Sequence, residues 1–327
     1  MTDDVPVRIP IVLDVDTGVD DACALLFAVG HPGLDLRAVT CVAGNAPVED
    51  VARNTLTVLE VAGASQVPVA RGADRPLLQA DPGTDHFHGR DGMGDLGWPA
   101  ASAGLVAGHA VELLRDLLLD AAARGEPVTL VALAPLTNIA LLLRTHPEVA
   151  AGIERLVFMG GSAGIGNVTP SAEFNVWRDP EAAAIVLAAC YELEIATTMY
   201  GLDVFYDPVV TVAQADRLQT APPGSPARLA GELVGFCAAR VGSDRATIGD
   251  AGAVCSVADP QLLTIQPMPV RVELAGTWTR GRTVVAARAH PFGLEPGPYG
   301  PAPTIGVAVA VDAQRCAQLW LDTVSQP

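Results

Sequence analysis

The feature that most constrains the fold is an alternation of short, almost continuously apolar runs with longer segments of helical periodicity. Strands that lack a polar face are typical of a parallel sheet covered by helices on both sides. We therefore expect an α/β fold, with a single open domain over residues 1–327 and a mainly parallel central sheet flanked by helices. The patterns predict strands at residues 9–14, 36–43, 67–70, 128–133, 155–159 and 194–198, two later strands at 270–274 and 305–311 as antiparallel additions at the edge, and helices at 20–28, 48–62, 107–123, 136–144 and 180–189.

Three segments break this alternation. Residues 72–103 and 160–180 are rich in glycine, proline and aspartate, and loops of that length in a compact domain usually carry function. Residues 222–227 are predicted to be an irregular surface linker within the same domain.

Charge and composition exclude several classes of protein. The formal net charge is −17, which repels phosphate backbones, so no nucleic-acid partner is expected. All 20 basic residues are arginine, so a P-loop lysine and a Schiff-base lysine are both excluded. The N-terminus has no signal-like apolar stretch, and no run is long enough for a membrane span. The six cysteines form no C-x-x-C pair, which favours free thiols and a cytoplasmic location.

The strongest chemical signal is an acidic cluster at the end of the first predicted strand. Asp14, Asp16, Asp20 and Asp21 lie within eight residues, where ligands bind in open α/β sheets. Helix capping explains one carboxylate, whereas four repel one another unless a cation neutralises them. Oxygen ligands favour calcium or magnesium, although a purely structural acid-rich turn and a D-x-D phosphotransferase loop stay open. The absence of lysine argues against the phosphotransferase, and an EF-hand is excluded because its glycine falls one position early.

A series of motifs then carries a family resemblance. DVDTGVDDA is followed, in order, by VAGNA, HGRDGMG, ALAPLTNIA, MGGSAGIGNVTPSAEFNVWRDPEAA and TRGRTVV. From about residue 9 to residue 315 the chain resembles the calcium-dependent, inosine- and uridine-preferring nucleoside hydrolases. The resemblance implies their Rossmann-like fold, hydrolysis of the N-glycosidic bond of ribonucleosides to free base and ribose, a Ca²⁺ cofactor and a homodimer or homotetramer.

The resemblance also implies roles for individual residues. The implied metal ligands are Asp16, both oxygens of Asp21, the backbone carbonyl of Leu133, and Asp259. Asp16 is implied as the base that activates a calcium-bound water, with Asp14 behind the site. The implied substrate-binding residues are Asp20, Asn45, Met159, Asn167, Glu173, Phe174, Asn175 and His88. Glu173 and Asn175 are expected to share one face of an extended segment.

One departure from the family pattern concerns the leaving group. Where many members have a histidine before the last metal-binding aspartate, the sequence offers Ala258, which cannot protonate a departing base. The polar candidates nearby are Asp244, Arg245, Asp250 and Ser256, and the loops offer His86, His88 and aromatic stacking by Phe174. A leaving group that needs no proton also fits. The competing function is a non-catalytic ribose- or nucleoside-binding protein of the same fold.

Overall fold

The computed structural model describes residues 8–80, 83, 87–286 and 302–326. Its strands are β1 (Ile9–Val15), β2 (Leu34–Cys41), β3 (Val69–Arg71), β4 (Val128–Ala132), β5 (Ile153–Met159), β6 (Thr197–Tyr200), β7 (Val209–Thr211), β8 (Arg245–Thr247), β9 (Leu263–Val272), β10 (Thr283–Val285) and β11 (Thr304–Val311).

Nine of these strands form one central sheet in the order β10-β9-β11-β6-β5-β4-β1-β2-β3. Seven neighbouring strands of this sheet run parallel to one another, and these are β11, β6, β5, β4, β1, β2 and β3. Strand β9 is antiparallel to β11, and β10 is antiparallel to β9. Strands β7 and β8 form a separate antiparallel pair.

Helices cover the sheet and make it the centre of two apolar cores. They are α1 (Val19–Gly30), α2 (Val48–Val61), α3 (Ala110–Arg124), α4 (Thr137–Thr145), α5 (Phe174–Arg178), α6 (Pro180–Glu192), α7 (Leu202–Phe205), α8 (Val212–Gln219), α9 (Pro226–Val241), α10 (Ala251–Ala258) and α11 (Ala313–Val324). One core includes Leu13, Val131 and Phe27, and the other includes Leu130, Phe158 and Leu118. Alternate residues of β4 therefore enter opposite cores, which is why the central strands read as uninterrupted apolar runs.

The structure confirms the predicted α/β architecture and its mainly parallel sheet, and it corrects several details. Strand β11 is not an antiparallel edge strand, because it pairs in parallel with β6 and only β9 runs against it. Strand β6 begins at Thr197 rather than at 194, since Glu194 adopts a left-handed φ of 58° in the preceding turn. Residues 222–227 are not only a linker, because α9 begins at Pro226 with the Ser225 side chain accepting the Arg228 N–H. No helix in the described part of the chain is long and apolar enough to cross a membrane.

Candidate active site

The predicted site residues of the first half of the chain meet at the carboxyl edge of the parallel strands. Asp16 directly follows β1, Asn45 lies beyond the end of β2, and Leu133 directly follows β4. Strands β2, β1 and β4 are neighbours in the sheet, so these three loops lie side by side. The Asn45 backbone N–H donates to Oδ2 of Asp16 at 2.7 Å. The parallel order thus converts separate sequence motifs into one site.

The turn between β1 and α1 is built around Asp21. Its carboxylate accepts the Gly18 N–H at 2.9 Å and the Asp16 N–H at 3.2 Å, which satisfies donors at the start of the helix. Asn45 donates its side-chain amide to the same carboxylate at 3.3 Å. A Cβ at Gly44 would lie 1.9 Å from Oδ2 of Asp16, so only glycine allows the second loop to approach this closely.

Asp16 and Asp14 are both buried but have different surroundings. In the described residues, Oδ1 of Asp16 has no hydrogen-bond partner although it is inaccessible to solvent. Asp14 accepts hydrogen bonds from the Thr40 hydroxyl at 2.6 Å and the Asn138 amide at 2.8 Å. Asp14 is therefore anchored by Thr40 and Asn138 through Oδ1, while its Oδ2, like Oδ1 of Asp16, has no hydrogen-bond partner among the described residues.

The structure corrects the predicted position of the last acidic residue. Asp259 lies at the C-terminal end of α10, where it pairs with Arg315 at 2.5 Å and accepts the Gln261 N–H. Asp250 lies immediately before the other end of this helix, is 3 % exposed, and has carboxylate oxygen within 4.8 Å of those of Asp20 and Asp21. The structure thus brings Asp250, not Asp259, to the acidic cluster.

Sequence reasoning placed Asp250 only among the polar candidates near the leaving group and not among the metal ligands, because both aspartates flank the same apolar helix. The available signal was the glycine turn before it, since an acid after a turn and ahead of an apolar run is typical of a helix start. The residue that precedes the clustered aspartate is Gly249.

Opposite the acidic cluster, the loop after β5 supplies Glu173 and Asn175. Glu173 caps α5, and its carboxylate accepts three backbone N–H groups, from Gly161, Asn175 and Val176, at 2.8–3.0 Å. Asn175 donates to the carbonyl oxygens of Leu133 at 2.8 Å and Met159 at 3.2 Å. The two residues therefore meet through a helix turn and not through an extended segment, which corrects the expected local geometry.

These groups face one cavity of about 390 Å³, within the range of small-molecule sites. Nine of the predicted residues line it together with Asp250, whereas Asp16 and Asp21 do not; the nine are Asp20, Asn45, His88, Leu133, Met159, Asn167, Glu173, Phe174 and Asn175. The Nδ1 atom of His88 accepts the Val19 N–H at 3.1 Å. Asn167 accepts the Phe174 N–H at 2.9 Å, which ties the loop to α5.

Burial dominates the electrostatics of the site. It raises the pKa of Glu173 to about 7 despite the three N–H donors. Burial, with repulsion from Asp20, raises the pKa of Asp16 to about 8. The pKa values of Asp21 and Asp250 are raised well above their ordinary values by burial and by the neighbouring aspartates. These carboxyls are therefore costly to ionise together unless positive charge joins them.

The residues present fit a divalent cation. Carboxylate oxygens of Asp20, Asp21 and Asp250 converge, and the buried Oδ1 atoms of Asp16 and Asp20 lack hydrogen-bond partners among the described residues. Leu133 lines the same cavity, and its carbonyl oxygen accepts the Asn175 amide. A set made only of oxygen donors suits a hard cation such as calcium or magnesium.

A doubly covered parallel sheet with a carboxylate-rich pocket at its carboxyl edge defines a small-molecule site in an open α/β fold. The inosine-uridine preferring nucleoside hydrolase family matches residues 11–318, and the chain belongs to this family.

The chain is similar to nucleoside hydrolases that have different substrate preferences. The chain is 43 % identical over 279 residues to the non-specific ribonucleoside hydrolase RihC of Klebsiella pneumoniae, covering 85 % of this chain and 88 % of the relative. It is 38 % identical to the inosine-uridine preferring nucleoside hydrolase of Leishmania major, with the same coverage. The structure of the purine-preferring ribonucleoside hydrolase from Gardnerella vaginalis superposes with a TM-score of 0.84 at 27 % identity, covering 97 % of this chain and 98 % of that one. The chain is therefore a ribonucleoside hydrolase that cleaves the N-glycosidic bond, and membership alone leaves the preferred base open.

Proposed function

We propose that this enzyme hydrolyses ribonucleosides with Asp16 as the general base and with a calcium ion held by Asp16, Asp21, Asp250 and the Leu133 carbonyl. The observation that carries the proposal is the convergence of buried carboxylates, some with unpartnered oxygens, on a cavity whose opposite wall holds Glu173. When bound, the cation supplies positive charge that keeps the carboxylates ionised and makes water more acidic.

The protein's own groups bind and orient the ribose. Asp20 and Asn45 reach the cavity from the α1 side, and Asn167, Glu173 and Asn175 reach it from the loop before and within α5. Hydroxyl groups of a sugar are donors that these carboxylates and amide oxygens accept. Fixing the ring between the two walls uses binding energy for orientation.

The same groups stabilise the reaction. Cleavage of an N-riboside passes through a transition state that resembles an oxocarbenium ion, so anionic side chains around the sugar lower its energy. Asp16 takes the proton of the attacking water, for which its unpartnered Oδ1 is suited. Asp14 ties the end of β1 to Thr40 and Asn138 through its hydrogen bonds.

Ribose release tests the proposal directly. We expect reducing sugar from purine or pyrimidine ribosides in the presence of Ca²⁺, and loss of this activity in EDTA that Ca²⁺ restores. Asp16→Asn should lower kcat by about 10³-fold or more while KM changes little, because it removes the base and keeps the ribose contacts. Wild-type turnover by Asp16→Asn would overturn its assignment as the base.

A non-catalytic nucleoside-binding protein gives a different result. It would bind nucleosides stoichiometrically with Ca²⁺ present and release no ribose. Asp16 favours hydrolysis, because a protein that only binds has no use for a base.

The remaining expectations concern assembly and compartment. We infer a cytoplasmic protein, which is supported by the six free thiols. The homodimer or homotetramer stays a prediction, for which light scattering is the measurement. The net charge of −17 supports the absence of a nucleic-acid partner.

A further inference from the structure

Arg178, the last residue of α5, is a buried charged side chain that the chemistry described so far does not use. It is 1 % exposed and is one of the largest fully buried side chains in the described part of the chain. A buried charge carries a desolvation cost, and an apolar residue of similar volume in its place is often equally or more stabilising. The burial of Arg178 therefore points to a role other than stability.

Arg178 holds part of the long loop between β3 and α3. Its Nη1 donates a hydrogen bond to the carbonyl oxygen of Gly83. From the same stretch of the loop, the side-chain amide of Gln79 donates to the carbonyl oxygen of Trp177 at 3.0 Å and to that of Arg178. Side chains of both segments thus contribute to the contact, which joins the loop to the C-terminal end of α5.

The residue after Arg178 extends this contact. The buried carboxylate of Asp179 accepts the Leu77 N–H at 2.9 Å, and the same oxygen accepts the Thr137 hydroxyl of α4 at 2.7 Å. Three loop positions are therefore bound to three successive residues of the helix end. We call this set of contacts the α5 anchor, and its members are Leu77, Gln79, Gly83, Trp177, Arg178 and Asp179.

A second arginine supports the anchor from the turn between β9 and β10. The Arg280 guanidinium donates to Oε1 of Gln79 at 3.4 Å and forms an ion pair with Glu181 of α6 at 2.8 Å. The Gln79 amide is therefore held through its nitrogen and its oxygen at once. Since Arg280 is itself fixed to α6, this contact also ties the loop to the helix layer.

The short helix α5 connects the anchor to the cavity. Glu173, Phe174 and Asn175 stand at its beginning and line the cavity. The anchor is at its other end, only about 7 Å along the axis for five residues. The anchored loop continues to Phe87 and His88, which line the same cavity. The α5 anchor therefore joins two walls of one cavity that are far apart in the chain.

From these contacts we propose that Arg178 is a positioning residue for nucleoside hydrolysis. It fixes the loop that carries Phe87 and His88 relative to the helix that carries Glu173 and Asn175. Arg178 is not among the residues that line the cavity, so it acts through the loop and not on the substrate. A loop that is held before the substrate arrives lowers the ordering cost of binding. The inference needs only ribonucleoside hydrolysis and not the identity of the cation or of the base.

The charge of Arg178 has a second effect that the test must separate from the first. Burial raises the pKa of Asp16, and the positive charge of Arg178 opposes this rise. A change at Arg178 therefore also alters the electrostatics around Asp16. Gln79 is neutral and belongs to the same anchor, so Gln79→Ala disturbs the loop contact without removing a charge.

Kinetics of the two variants test the proposal. Arg178→Met keeps a long side chain and removes the donor, and ribose release is followed with Ca²⁺ from inosine or uridine, whichever the wild type hydrolyses faster. We expect KM to rise about tenfold in Arg178→Met and about threefold in Gln79→Ala, with kcat within about threefold of wild type, because the anchor affects binding and not the chemical step. A fall in kcat of Arg178→Met at unchanged KM, with wild-type kinetics in Gln79→Ala, would assign the effect to the charge near Asp16 and overturn the proposal.

Hydrogen exchange measures the anchor without turnover. The Leu77 N–H is the direct probe, because it donates to Asp179 within the anchor. We expect peptides that cover residues 77–80 to exchange about fivefold faster or more in both variants than in the wild type, and peptides from α2 to be unchanged. Unchanged exchange at residues 77–80 in both variants would overturn the proposal. If the wild type releases no ribose from either nucleoside, the proposed function fails, whereas the exchange result still decides whether the anchor holds the loop.

Thermal stability separates positioning from a merely structural role. Arg178→Met should melt within about 3 °C of wild type, because removal of a buried charge offsets the lost hydrogen bonds. A Tm decrease of more than about 10 °C with KM and exchange unchanged would show that Arg178 only stabilises the fold, and would overturn the proposal. If Arg178→Met does not fold, Gln79→Ala carries the same tests, because its side chain is only partly buried. The matched controls are Arg124→Met and Gln318→Ala, two exposed positions that do not line the cavity, and both should match wild type.

Discussion

Replacing Asp250 and Asp259 separately tests which end of α10 completes the site. Asp250 has carboxylate oxygen within 4.8 Å of Asp20 and Asp21 and is 3 % exposed, whereas Asp259 pairs with Arg315 on the far side of the helix. Asp250→Asn is nearly isosteric and removes one negative charge from the cluster. Asp259→Asn removes the same charge nine residues along the chain and is the matched control.

The expected effects on activity differ by orders of magnitude. Loss of a hydrogen-bond partner outside a metal's ligands typically costs 10–100-fold in affinity or activity, and loss of a ligand costs more. Asp250→Asn should therefore lower kcat/KM by at least about 100-fold and weaken Ca²⁺ binding. Asp259→Asn should keep kcat/KM within about threefold of wild type, since Asp259 is not among the residues that line the cavity. Ribose release over a range of Ca²⁺ concentrations measures both quantities.

Stability of the metal-free protein should change in the opposite order. Carboxylate oxygens of Asp250 and its neighbours lie within 4.8 Å of one another, where two unit charges would repel by about 3.5 kcal/mol at an effective dielectric constant of about 20. Burial and this repulsion disfavour the ionised form of Asp250, so its pKa is raised well above the ordinary value. In EDTA, the neutral amide of Asp250→Asn avoids the cost of ionising this carboxyl, so the variant should melt no lower than wild type. Asp259→Asn loses a partly exposed ion pair worth about 0–1 kcal/mol. With an unfolding entropy of about 0.7 kcal/mol/K for 327 residues, that is a Tm decrease of up to about 1.5 °C.

The refuting result is specific. If Asp259→Asn abolishes Ca²⁺-dependent turnover and Asp250→Asn does not, the assignment of the cluster from the structure is incorrect. If circular dichroism shows both variants to be folded and both lower activity equally, the different roles assigned to the two ends of α10 are contradicted.

Three further predictions follow from the cavity walls. In EDTA, Tm should fall as pH rises from 5 to 8, because the raised pKa values of Glu173 (about 7) and Asp16 (about 8) let the folded state bind more protons than the unfolded state. Saturating Ca²⁺ should remove most of this pH dependence. A Tm that rises with pH would contradict the reasoning. Gly18→Ala should raise KM roughly tenfold, about 1.4 kcal/mol, because its Cβ displaces His88, whereas Gly104→Ala meets open space and should match wild-type kinetics. Glu173→Gln should lower kcat/KM by about 10–100-fold, since an amide NH₂ facing backbone donors leaves them unsatisfied; unchanged kinetics would exclude the carboxylate from the site.

Local sequence was sufficient for the elements that carry strong periodicity. The apolar runs of β1, β4 and β5 and the helices α2 and α4 lie close to their predicted bounds. Elements that depend on distant partners were not predictable in this way. Strand β11 takes its place between β6 and β9 through pairing with residues more than 30 positions away in the chain. The five-residue helix α5 is too short for a periodic signal, and its start depends on the Glu173 cap.

The chemistry of the site divides along the same line. Four aspartates lie around one turn and form an acidic cluster, and these are Asp14, Asp16, Asp20 and Asp21. Their side chains must lie close together because the strand end, the glycine and the helix start follow one another directly. Those residues were identifiable without coordinates.

Only the tertiary structure decided how the pocket closes. Asp250 and Asp259 flank one apolar helix, and their spacing along the chain gives no reason to choose between them. The position of α10 over the end of α1 places one aspartate in the cluster and sends the other to Arg315. The closed space at Gly249 also arises from contacts with Asp20 and Phe205, which lie far away in the chain. The sequence by itself determined which acidic and amide side chains lie at the ends of the strands. Long-range packing determined which further residues complete the site, because only packing sets the distances between segments that are far apart in the chain.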